Sequence, residues 1–103
     1  MDVGLVEWAG GVGSPQATYG DAVDLVERLA PDLVVVVAGA GLGALSNVRL
    51  AARALSRHPL AVFLNHFDDE DDLHGRNRRW LAERDGLRVY VSTAGLAEVV
   101  VTA

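Results

Sequence analysis

Residues 33–47, "LVVVVAGAGLGALSN", decide the fold class. The stretch begins with five consecutive apolar residues, passes through a turn that contains three glycines, and ends in a pattern typical of the start of a helix. An uninterrupted apolar run, here one leucine and four valines, predicts a strand covered on both faces, as in a parallel sheet. A strand that leads through glycines directly into a helix is part of a β–α–β unit. The stretch therefore indicates an α/β protein.

The same alternation recurs along the whole chain. Apolar runs at residues 3–6, 33–37, 60–64 and 87–91 predict four strands. Helical patterns lie between them, and right-handed crossovers make the strands of such a sheet parallel. We find neither a repeat nor a linker. The sequence thus predicts a single α/β domain over residues 1–103, with three layers and a mostly parallel sheet.

Three segments have the apolar periodicity of helices. "GDAVDLVERLA" carries Asp21 at its N-terminal end, and "ALSNVRLAARALSRH" combines an apolar stripe with arginines on the opposite side. "LHGRNRRWLAERDG" is expected to end at an Asp-Gly pair. In this third helix the predicted inward residues are Leu73, Trp80 and Leu81. The arginines of the second helix are Arg49, Arg53 and Arg57.

The composition excludes several classes of function. The 103 residues carry a net charge of −5, which argues against nucleic acid as a partner. All nine basic residues besides histidine are arginine, so the chain has no lysine for a phosphate-binding loop or a Schiff base. No apolar run approaches the ~20 residues of a membrane span, and the N-terminus lacks the basic region of a secretory signal. We therefore expect a cytoplasmic protein with no membrane partner.

Ligands of open parallel sheets bind at the carboxyl ends of the strands, which directs attention to the first loop. "LVEWAGGVGSPQ" places Glu7 at the end of the first predicted strand. A carboxylate there is a suitable ligand for Mg²⁺ that carries phosphates. Gly10 and Gly11 would let the backbone approach an anion closely. The alternative is that Glu7 is only a solvated residue at a strand boundary.

The next two loops have further candidates. "GAGLGA", residues 39–44, fits a loose G-x-G-x-x-A fingerprint, but the following strand ends at Asn65 rather than at the acidic residue that a dinucleotide site needs. The free backbone N–H groups of residues 43–47 suit any carboxylate or phosphate, and the alternative is a tight turn into a helix. The Asn65 amide has the groups to pair with a purine edge or to cap a turn.

An acidic run, "DDEDD" at residues 68–72, is flanked by His66 and His74 and suggests a metal cluster. Its spacing does not fit a calcium loop, which needs a glycine at the turn and a distal glutamate. Closely spaced carboxylates repel one another and usually remain in water. We therefore favour a solvated loop that places negative charge before the third helix.

Taken together, these loops resemble the C-terminal half of dethiobiotin synthetase, an ATP-dependent enzyme of biotin biosynthesis. The resemblance runs from about residue 3 to residue 91 and rests on "VEWAGG" followed by Pro15, "LGALSN" at residues 42–47, and "VFLN" at residues 62–65. It implies the C-terminal half of a P-loop NTPase-like, Rossmann-like fold, with ATP and Mg²⁺ as cofactors. It also implies a homodimer that takes a diamine acid and carries out ATP-dependent carboxylation and ureido ring closure.

The resemblance assigns a role to each candidate. Glu7 would bind Mg²⁺, Asn65 would recognise the adenine, and the first glycine loop would contact the phosphates and the substrate. The residues of that loop are Gly10 and Gly11. The residues that would hold the substrate carboxylate across the dimer are Gly43, Ala44 and Ser46.

The sequence also departs from the family pattern. Trp8 stands where the family has a glycine, Ser46 replaces an asparagine, and no G-x-x-x-x-G-K-[ST] segment is present. We expect an incomplete domain that lacks the P-loop segment, and no catalytic residue is assigned to this chain, which alone should be inactive. The alternatives are a catalytically silent binding or dimerisation domain of the same fold and a small dinucleotide-binding module.

Overall fold

An α/β alternation runs through the part of the chain that the computed structural model describes, residues 4–7, 15–17 and 20–102. In chain order the elements are β1 (Pro15–Ala17), β2 (Gly20–Asp21), α1 (Ala22–Leu29), β3 (Val34–Gly39), α2 (Ala44–Ala54), β4 (Leu60–Asn65), α3 (Asp72–Arg79), a π-helix (Trp80–Arg84) that continues α3, β5 (Val89–Tyr90) and α4 (Thr93–Thr102). The α/β class predicted from the sequence is therefore confirmed.

Three of these strands form a parallel sheet in the order β3-β4-β5. The register of β3 against β4 runs from Val34 opposite Leu60 to Gly39 opposite Asn65, and Val62 of β4 lies opposite Val89. β1 and β2 form a separate antiparallel pair. The parallel arrangement confirms the β–α–β interpretation, because each crossover contains a helix.

The prediction of a strand at residues 3–6 is wrong for residues 4–6, and residue 3 lies outside the described segments. Residues 4–7 belong to no strand, with Leu5 82% and Val6 65% exposed. An apolar run forms a stable strand only when it pairs with a neighbour and buries its side chains, and neither condition is met here. Glu7 consequently does not follow a strand of the parallel sheet, contrary to expectation.

The main core lies on one face of the sheet. Val62 and Leu64 of β4 are fully buried against Val48 of α2 and Leu81 of the π-helix. The other face is covered at Ala61, which is fully buried, but Val37 in the middle of β3 is 62% exposed. The described residues thus show helices packed on one face of a parallel sheet, while a complete third layer remains a prediction.

Local capping signals fix the start of α1. The Asp21 carboxylate accepts a hydrogen bond from the Asp24 N–H, and the Asp24 carboxylate accepts one from the Asp21 N–H, each at 3.0 Å. This reciprocal capping box satisfies two N–H groups that the helix itself leaves unpaired. The predicted place of Asp21 at the N-terminal end of this helix is confirmed.

The inward face of α3 differs from the predicted one. Leu73 is 41% and Trp80 39% exposed, so their predicted inward orientation is wrong, whereas Leu81 is fully buried as expected. The residues that face inward are instead His74 and Asn77, one turn apart, and they bond to the loops that follow β4 and β3. Polar side chains occupy this face because they find hydrogen-bond partners there, which removes the cost of burying them.

Among the helices that the structure describes, none combines the length and the apolar composition needed to cross a membrane.

Candidate functional site: the carboxyl edge of the sheet

β3 and β4 end side by side. Gly39 lies opposite Asn65 in the register, and the Ala40 N–H donates to the Asn65 carbonyl oxygen at 3.0 Å. The turn at residues 40–43 and the loop at residues 65–71 therefore emerge at the same edge of the sheet. We call this pair of segments the carboxyl-edge site. As the sequence predicted, the structure brings Asn65 and the glycine turn together.

The glycine turn presents the N-terminus of α2. Gly43 is the N-cap residue, with φ of 88°, and within the described part of the chain no side chain caps this helix. The Ala44 N–H donates to the Gly41 carbonyl oxygen at 3.2 Å and the Asn47 N–H to the Gly43 carbonyl oxygen at 3.0 Å, so these two groups are not free, contrary to expectation. The Ala44 side chain is buried, whereas Ser46 is exposed. Of the three residues predicted to hold a carboxylate, Gly43 and Ser46 are thus the exposed ones at this helix terminus, where anions are favoured.

Asn65 lies exposed at the end of β4. Its Oδ1 accepts a hydrogen bond from the His66 N–H at 3.1 Å, and His66 adopts a left-handed backbone with φ of 57°. This is the turn-capping role that the sequence left as an alternative. Recognition of a purine by the Asn65 amide remains a prediction.

Two residues of α3 adjoin this site: Asn77, which sequence reasoning missed, and His74, which it considered only as a neighbour of the acidic run. Asn77, 4% exposed, donates through Nδ2 to the carbonyl oxygens of Ala40 and Gly41, both at 2.9 Å. His74 accepts through Nδ1 from the Asp68 N–H at 2.9 Å. The available signal was the spacing of His74, Asn77 and Leu81, which lie at i, i+3 and i+7 and so share one helix face.

The acidic run is a solvated helix start. Asp71 is the N-cap of α3 and accepts from the N–H groups of Leu73 and His74 at 2.9 and 3.2 Å. Asp68 accepts from the Glu70 N–H at 3.0 Å, and all five residues of the run are exposed. Within the described segments, no three histidine or acidic side chains converge in a way that could hold a metal ion.

The remaining predicted residues, those for the metal and the phosphates, come from the first loop of the sequence. Glu7 is exposed in the segment 4–7, and Gly10 and Gly11 lie outside the described residues. Because no group of metal ligands converges among the described residues, we derive no catalytic step through Mg²⁺ from the carboxyl-edge site. The assignment of Glu7 to Mg²⁺ stays a prediction.

Arg49 is engaged within its own chain. Its Nε lies 3.0 Å from Oδ2 of Asp85, and its guanidinium lies 5.8 Å from the Trp80 ring centroid, while the Arg84 guanidinium lies 4.8 Å from the same ring. These contacts of Arg49 connect α2 to Trp80 in the π-helix and to Asp85, which follows that helix. Asp85 Oδ2 is buried, so the arginine also offsets the cost of removing that charge from water.

Comparison of the chain with models of protein families, with curated proteins and with solved structures finds no match.

The conformation of Gly43 yields a stability prediction. Gly43→Ala should lower the free energy of unfolding by about 1 kcal/mol, because a Cβ at positive φ is strained. Space is not the cause, since that Cβ would be 3.8 Å from its nearest neighbour. The control is Gly39→Ala, in a strand with open space around the new methyl group, and urea denaturation measures both. An equal effect of the two changes would contradict the prediction.

Proposed function

We propose that the carboxyl-edge site binds a small carboxylate ligand and a nucleotide, in the manner of dethiobiotin synthetase. The observation that carries the proposal is the adjacency of an α2 N-terminus without a side-chain cap and the strand-end residue Asn65. The helix terminus offers backbone N–H groups and a favourable dipole to a carboxylate. The order of "VEWAGG", "LGALSN" and "VFLN" along the chain supports the same assignment.

The reaction that this family likeness suggests is ATP- and Mg²⁺-dependent carboxylation and ureido ring closure of a diamine. Mg²⁺ would arrive with the nucleotide phosphates, with Glu7 as its predicted protein ligand. Phosphoryl transfer depends on positioning and on stabilising the developing charge. Because the sequence has no lysine, we propose that this chain binds its ligands without turning them over.

Ligand binding is tested by titration calorimetry with a diamino monocarboxylic acid and with Mg²⁺–ATP. The informative variant is Ser46→Glu, which places a carboxylate in the first turn of α2 where the ligand carboxylate would lie. We expect binding of the diamino acid to weaken about tenfold or more, since like charges then meet at one helix terminus. The helix itself tolerates the change, because a negative charge is favourable at its N-terminus.

The matched control is Ser56→Glu, the same substitution at an exposed residue just beyond the other end of α2. It should leave the affinity unchanged. Failure of the unsubstituted chain to bind either ligand would overturn the proposed function. Equal effects of Ser46→Glu and Ser56→Glu on affinity would mean that the ligand does not bind at the α2 N-terminus. ADP formation in the same samples would contradict the proposal that turnover is absent.

A silent dimerisation domain is the second candidate, favoured by apolar exposure at and near the same edge. Leu42, in the glycine turn, is 96% exposed, and Val37 of β3 is 62% exposed. Surface of this kind is suited to contact with a second copy in a two-fold dimer. A dimeric mass by light scattering without ligand binding would favour this candidate over the first.

A further inference from the structure

A buried amide ties α3 to the glycine turn. Among the described residues the buried set contains one polar side chain, Asn77. Its Nδ2 donates to two consecutive carbonyl oxygens, those of Ala40 and Gly41, each at 2.9 Å. One amide group that holds two successive carbonyls fixes the orientation of both peptide planes. Those peptides lead directly into Gly43 and the first turn of α2.

A histidine one turn earlier ties the same helix to the second loop. His74 Nδ1 accepts from the Asp68 N–H at 2.9 Å, so the neutral ring carries its proton on Nε2. Nε2 lies 3.7 Å from the Asp71 carboxylate. The ring also lies beside the glycine turn, since a Cβ built on Gly41 would be 3.4 Å from Nε2. His74 therefore lies between the two loops, hydrogen-bonded to the second and next to the first.

We propose that α3 sets the geometry of the carboxyl-edge site, with His74 and Asn77 as positioning residues that make its two loops one rigid unit. Neither residue needs to touch the ligand. The Asn77 hydrogen bonds fix the peptides that orient the α2 N-terminus. The His74 hydrogen bond to Asp68 fixes the loop that follows Asn65. A preorganised site binds more tightly because less ordering is required on binding. The effect on affinity rests on the proposed function, whereas the effect on loop rigidity does not.

Amide hydrogen exchange, followed by NMR on the full chain, tests the rigidity directly. Two informative amides are those of Ala44, bonded to the Gly41 carbonyl, and Asp68, bonded to His74. In Asn77→Leu we expect exchange at Ala44 to accelerate about tenfold or more relative to the amides of β4. In His74→Phe, which removes the acceptor, we expect the same at Asp68. His74 is only partly buried, so this second variant keeps the test informative if Asn77→Leu fails to fold.

The control is Val34→Ala, a buried position at the opposite end of β3. It should destabilise the fold, but the exchange rate at Ala44 should rise by the same factor as the exchange rates in β4. Faster local exchange at Ala44 in this control, equal to that in Asn77→Leu, would overturn the proposal. So would unchanged local exchange at both reporter amides in the two α3 variants.

Calorimetry then measures the consequence for binding. With Mg²⁺–ATP and a diamino monocarboxylic acid as probes, we expect His74→Phe and Asn77→Leu to weaken binding about tenfold and Val34→Ala to leave it unchanged. Absence of binding to the unsubstituted chain would reject the proposed function but not the positioning role, which the exchange measurements decide separately. Binding that is unchanged in all variants would overturn the claim that α3 sets the site geometry.

Discussion

Leu64→Ala should lower the free energy of unfolding by about 3 kcal/mol. Leu64 is fully buried in the middle of the main core, between α2 and the π-helix. Truncation removes apolar contacts and leaves a cavity that the parallel strands cannot easily close, and changes of this kind cost roughly 2–5 kcal/mol. Urea denaturation followed by circular dichroism gives the free energy of unfolding for each protein.

The matched control for this truncation is Leu42→Ala. The side chain of Leu42 is 96% exposed, so the same change should cost no more than about 0.5 kcal/mol. A large loss at Leu42 would show that its side chain is covered in solution, by another copy for example. A small loss at Leu64 would contradict the packing described for the main core.

Asn77→Asp should destabilise the fold at neutral pH by about 3 kcal/mol or more. The substitution keeps the shape of the side chain but replaces the donating Nδ2 with a carboxylate oxygen that faces the carbonyl oxygens of Ala40 and Gly41. An uncompensated buried charge carries a cost of roughly 3–5 kcal/mol. Because the two side chains are nearly isosteric, a cavity cannot account for the loss.

Asn47→Asp is the control for that change, because Asn47 is exposed in the first part of α2. There the new charge remains in water near a helix N-terminus, and the free energy of unfolding should change by less than about 0.5 kcal/mol. Similar costs at the two positions, again measured by urea denaturation, would mean that the Asn77 hydrogen bonds contribute little.

The candidate site could be predicted only in part. Strand ends and glycine turns are local signals, and together with the rule that ligands meet the carboxyl edge they placed Asn65 beside residues 40–43. The position of Gly43 and Ser46 at a helix terminus follows from the same reasoning, whereas their role in binding a carboxylate remains a prediction. What the sequence did not indicate is that α3 contributes His74 and Asn77, since polar residues at helical spacing ordinarily indicate a solvated face.

The sequence by itself determined the elements whose causes are local. The apolar runs of β3 and β4, the glycine turn between β3 and α2, and the Asp21 cap of α1 each depend on neighbours a few residues away, so pattern and capping rules suffice. Tertiary structure decided which apolar runs join the sheet, and residues 4–6 do not. It also decided the inward face of α3, because the Ala40 carbonyl that accepts from Asn77 lies 37 residues earlier in the chain. A side chain's burial depends on partners that the fold supplies, and local periodicity contains no information about them.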